Sequence, residues 1–101
     1  MSKIPEKVKA ELEKWEKAAN NVVMKAKKTT KKISAEVQEE ATEIAQDGRK
    51  LLKNIDQRMD QVEEKSKKTL RDLRERLKKA YKSMRDDFAE ITEEDIIEPI
   101  E

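Results

Sequence analysis

Apolar side chains recur at helical spacing almost from one end of the chain to the other. Val8, Leu12, Trp15, Ala19, Val22 and Ala26 alternate by four and three residues, which is a seven-residue repeat. From Ile33 onward the repeat becomes eleven. One column is Ile33, Ile44, Ile55, Ser66, Leu77 and Phe88, and a second is Val37, Gly48, Met59, Leu70 and Tyr81. A third is Glu40, Leu51, Val62, Leu73 and Met84. Of these sixteen positions only Gly48, Ser66 and Glu40 are not apolar, which is too regular for chance. Such spacing puts the apolar side chains on one narrow seam of an α-helix. Sevens favour a left-handed supercoil, whereas elevens, at about 3.67 residues per turn, favour a nearly straight or gently right-handed one.

The pattern predicts an all-α protein of one or two long amphipathic helices, a heptad-to-hendecad coiled coil within an oligomer. An intrachain helical hairpin or a small helical bundle is the alternative. A short N-terminal tail, 1–4, precedes a long helical region, 5–91, and an acidic tail, 92–101, follows. Pro5 suits a first helical turn, where its missing N–H is no loss. Thr92-Glu93-Glu94-Asp95 reads as the cap of one last short turn, and Pro99 ends regular structure. Unbroken, residues 5 to 91 would extend roughly 130 Å.

Two places invite an interruption. Near 29–34, Thr29, Thr30 and Ile33 are β-branched, lysines precede Ser34 and glutamates follow it, and Ser34 is a good N-cap. At 47–49 the Asp47-Gly48 dipeptide is turn-like. However, Glu43 and Asp47 before it and Arg49 and Lys50 after it oppose the helix dipole, and the stripe passes through in phase. Gly48 therefore reads as a small seam residue permitting close approach or bending.

Composition limits the chemistry. The 101 residues are 47% charged at a formal net charge of +1, with one Gly, two Pro, no Cys and no His. Turn formers are too scarce for a sheet of short strands. Disulfides, thiol chemistry and the usual general base and metal ligand are missing. Nine of the 35 hydrophobic residues are alanine, so 26 large apolar side chains remain, few for a core of several layers. The N-terminus carries no apolar run, no stretch approaches a membrane span, and the expected setting is a reducing cytoplasm. Phosphate-binding loops, nucleophile elbows and metal-ligand spacings do not occur. The expectation is a protein without catalytic function, cofactor or metal.

Charge is segregated in blocks. Residues 18–33 hold five Lys and no acid, residues 34–48 five acids and no base, residues 49–90 a net of +5, and residues 91–101 five acids and no base. Blocks of this kind can set register between neighbouring helices, although single exposed pairs contribute little. Lys25–Lys32 and Lys65–Lys79 could neutralise phosphates, but aromatic residues are limited to Trp15, Tyr81 and Phe88 on the seam, which disfavours nucleic acid.

In its elevenfold periodicity, with Ala, Thr, Lys and Glu between seam positions, the stretch from about 15 to 91 resembles hendecad amphipathic helices. These include right-handed coiled-coil stalks, proteins of the apolipoprotein and phasin type, and late-embryogenesis proteins. The resemblance implies either helix pairing or coating of an apolar surface.

The leading functional expectation is a structural or adaptor protein that self-associates or pairs with a partner helix. Its seam is Val8, Leu12, Trp15, Val22, Ile33, Val37, Ile44, Leu51, Ile55, Met59, Val62, Leu70, Leu73, Leu77, Tyr81, Met84 and Phe88. Coating of a lipid or granule surface is the alternative, weakened by the mixed charges beside the seam. The tail isoleucines Ile96, Ile97 and Ile100 are candidates for docking on another protein or packing back on their own bundle.

Overall fold

In the computed structural model, which describes residues 3–28, 33–94 and 96–100, the chain forms three helices. They are α1 (Ile4–Lys27), α2 (Ala35–Met59) and α3 (Glu64–Thr92), and each packs against the other two. The bundle measures 50 × 21 × 16 Å. The single long helix of an extended coiled coil is therefore overturned, and the fold is a small all-α bundle. A seam of constant phase says only that one face is covered. It does not distinguish another chain from a later part of the same chain.

Local chemistry explains the helix ends. Pro5 lies in the first turn of α1, and Lys7 N–H donates to the Lys3 carbonyl at 3.0 Å. Lys25 and Lys27 in the last turn of α1 match the negative end of its dipole. Residues 29–32, part of the expected interruption at 29–34, lie outside the described residues. Beyond them Ser34 is extended, and its hydroxyl accepts from Val37 N–H at 3.2 Å, capping α2. α2 continues without a break through Asp47, Gly48 and Arg49.

A second turn, at residues 60–63, falls where no Gly or Pro marks it. Gln61 N–H bonds to the Arg58 carbonyl at 3.0 Å, and Glu63 takes an extended conformation before α3. Met59 and Val62 stay half-buried against the core, so the stripe crosses the turn without losing phase. The other end of α3 departs from the last short turn expected after Thr92. Glu93 adopts a left-handed conformation, with φ of 61°, and reverses the chain. Thr92 Oγ1 donates to the Phe88 carbonyl at 2.7 Å and accepts from Glu94 N–H at 3.2 Å, bracketing that reversal. Residues 96–100 are not helical, and Asp95 lies outside the described residues.

One core runs along the bundle. Among the described residues no polar or charged one is buried, and Tyr81, Phe88, Leu12, Ile55, Leu70 and Leu77 are the largest side chains fully enclosed. Each large apolar side chain removed from water contributes roughly 1.5–3 kcal/mol. A helix touching two neighbours needs a wider apolar face than a two-stranded coil. On α2 that extra width is small: Ala41, Ala45 and Gly48 are buried beside the larger Ile44, Leu51 and Ile55. Twenty-six large apolar side chains are therefore enough, because the three helices share one core and small residues fill the close approaches.

Candidate helix-pairing surface

Of the expected seam, Val8, Leu12, Trp15, Val22, Ile33, Ile44, Leu51 and Ile55 are buried inside this single chain. So are Leu70, Leu73, Leu77, Tyr81, Met84 and Phe88, while Val37, Met59 and Val62 are half-buried. The seam is thus covered by its own chain. Val23, Leu52, Ala41 and Ala45 join the core as well. The two alanines repeat four residues apart on the flank of the Ile44–Leu51 stripe, and that spacing was their only signal.

At the centre Trp15 of α1 lies flat against Tyr81 of α3, with ring centroids 6.2 Å apart and planes 10° apart. Its indole Nε1 donates to the Ile44 carbonyl of α2 at 2.7 Å. One residue therefore ties all three helices together. Helical geometry already pairs the Ile44 carbonyl with the N–H of Gly48, so the indole uses the second lone pair.

Every helix pair also carries an ion pair at its rim. Lys25 Nζ meets Glu40 at 3.1 Å between α1 and α2, Arg74 Nε meets Asp56 at 2.7 Å between α3 and α2, and Arg76 grips Glu16 of α1. The Arg76 contact is two-pronged, Nε at 3.0 Å and Nη2 at 2.7 Å, and Glu16 holds the guanidinium pKa above its ordinary value. The basic end of α1 and the acidic start of α2 thus meet within one chain. Glu40, the one acid of the inner columns, reaches outward to make its contact.

A groove remains open along α1 and α2. One section, about 380 Å³, is floored by Trp15, Ala18, Ile44 and Leu51 and edged by Glu11, Lys14, Asp47 and Lys50. From Ala18 it continues past Asn21 and Met24 to Lys28 and Glu40. Met24 is the one large hydrophobic side chain left exposed among the described residues, at 55%. From Glu11 to Lys28 the groove extends about 25 Å along α1 at 1.5 Å per residue.

The tail isoleucines sit on the opposite side of α2. Ile97 is buried in the core, and Ile96 and Ile100 pack partly against it. Arg85 Nε donates to the Ile97 carbonyl at 3.0 Å, and the Tyr81 hydroxyl donates to the Glu98 carbonyl. Arg49 Nη1 lies 3.3 Å from the Glu98 carboxylate. Burial pushes the Tyr81 phenol pKa above its ordinary value, opposed mainly by the positive charge and hydrogen bond of Arg49.

Among the described residues no group of three His, Cys, Asp or Glu side chains is placed to hold a metal ion, and no helix is long and apolar enough to cross a membrane. Comparison with protein-family models, curated proteins and solved structures finds no match.

Proposed function

We propose that the protein is a structural or adaptor protein that acts by pairing helices rather than by catalysis, with the α1/α2 face as its pairing surface and a second copy as the occupant. The observation that carries this reading is the open groove with an apolar floor, bordered by the exposed Met24. Met24 alone would be an ordinary surface residue; beside the apolar floor of the groove it extends a face that two copies can close into a four-helix layer.

Charge selects the partner. The α1 edge is basic toward its end, with Lys25 and Lys28, and the adjoining edge of α2 carries Glu36, Glu40 and Glu43. A two-fold axis along the groove lays α1 of one copy on α2 of the other at the same level. Lysines then meet glutamates in both halves, and Glu11 meets Lys50. Such a face is complementary to itself. The charge blocks that align the helices within the chain would align the copies too.

Coating a lipid or granule surface is less supported, because the helices must first part to turn their apolar faces outward. Sedimentation of the full chain across protein concentration and salt tests the proposal. A discrete dimer that weakens with salt is expected, and Ala18→Glu or Met24→Glu should leave a monomer of unchanged helix content. A chain that stays monomeric at the highest soluble concentration would overturn it. So would a chain that gains a binding partner only with anionic vesicles.

A further inference from the structure

The face between α2 and α3 that holds the C-terminal segment has the construction of a peptide-docking site. Three bundle side chains do the holding: Arg85 and Tyr81 bind the successive carbonyls of Ile97 and Glu98, and Arg49 faces the Glu98 carboxylate. Backbone carbonyls are common to any peptide, so two of the three contacts recognise main chain rather than this tail in particular. Specificity comes from the buried Ile97 anchor and the acid beside it. No backbone–backbone hydrogen bond joins residues 96–100 to the bundle among the described residues. Lys78 and Lys82 stand with Arg85 around a space of about 300 Å³ beside Pro99 and Ile100, adding positive charge where an acidic segment lies. The chain enters this face through Glu93, a non-glycine residue in the left-handed region, where its Cβ crowds the following carbonyl.

From this arrangement we propose that the α2/α3 face is a receptor for a short, non-helical segment bearing isoleucines beside acidic residues on another protein, with the chain's own tail as its built-in competitor. The cis tail keeps a sticky aromatic and cationic face covered until a better or more concentrated segment displaces it. The proposal goes beyond pairing through α1/α2 and uses the other flank of α2, so either can fail without the other.

The test uses the full chain and a fluorescent peptide with the sequence of residues 94–101. Ile97→Asp should release the tail, and this variant should bind the peptide about tenfold or more tightly than the unaltered chain does. Adding Arg85→Ala should weaken that binding, and a peptide with Ile96 and Ile97, two of its three isoleucines, changed to aspartate should not bind. If Ile97→Asp lowers the helical circular-dichroism signal, Ile97→Ala removes the anchor without adding charge and should show the same order of affinities. A folded variant that binds the peptide no better than the unaltered chain overturns the proposal, as does equal binding of the aspartate peptide.

Discussion

Gly48 and Trp15 are built around each other. A Cβ placed on Gly48 would lie 2.9 Å from Cζ2 of the Trp15 ring, closer than such atoms approach. The missing side chain is what lets the indole reach over α2 to the Ile44 carbonyl. Gly48→Ala should therefore destabilise the bundle even though alanine favours a helix by about 1 kcal/mol. Overpacking of a core contact typically costs about 1–3 kcal/mol, and the clash should win. Urea melts would show it, and a more stable variant would mean that the ring moves aside freely.

Trp15→Phe tests the same contact from the other side. It loses the hydrogen bond to Ile44, about 0.5–1.5 kcal/mol, and leaves part of the core empty. A phenyl ring is shorter, so Gly48→Ala should cost less in this background. The double-mutant cycle should give a coupling between the two sites of about 0.5 kcal/mol or more. Strict additivity would show that the two residues do not press on each other.

Ser34 starts α2 with its side chain accepting the Val37 N–H. Ser34→Ala should cost about 0.5–2 kcal/mol, and Ser34→Asp should restore most of it, because either oxygen can cap the same N–H and the added charge suits the helix start. The thermal midpoints of the three chains give the order directly.

Tyr81 makes stability depend on alkaline pH. Its folded pKa is raised, chiefly by burial, so the folded state keeps a proton that the unfolded chain loses near pH 10. The contribution is fully present below about pH 10 and is lost as pH rises through the folded value. Arg49 and Arg85 pull the pKa down, Glu98 pushes it up, and Lys78 and Lys82 stand nearby. The comparison is with Tyr81→Phe, which removes only the phenol. Urea melts from about pH 9 to 12 should fall more steeply for the unaltered chain. Parallel profiles would show that the phenol does not contribute.

The Arg76–Glu16 clasp fastens α3 to α1 at an exposed rim. Arg76→Lys keeps the charge but not the two-pronged geometry, and it should cause a small loss that shrinks as salt is added. A loss that persists in high salt would mean that the arginine stem, rather than its charge, carries the contact.

The repeats identify nearly every large side chain of the core, because burial in a helical bundle imposes its period on the sequence wherever the cover comes from. Ile33, Ile44, Ile55, Leu77 and Phe88 stand in one column and all are buried. The turn at 60–63 is hidden for the same reason. Met59 and Val62 remain under cover there, and an Asp60-Gln61 pair is not a strong turn signal. Ala41 and Ala45 look like ordinary helix formers until a third helix lies against them. The groove is likewise invisible in a linear pattern, since Ala18 and Met24 gain meaning only from the position of α2.

What the linear order of residues determined was the secondary structure class, the inward face of each helix and the Ser34 cap of α2, all of which depend on neighbours within a few turns. What only the tertiary structure decided was where those faces go: back onto the same chain, around Trp15. That choice rests on contacts between residues such as Trp15, Ile44 and Tyr81, dozens of positions apart, whose shapes and hydrogen bonds have no local period. The same folding left one groove open and filled another with the tail.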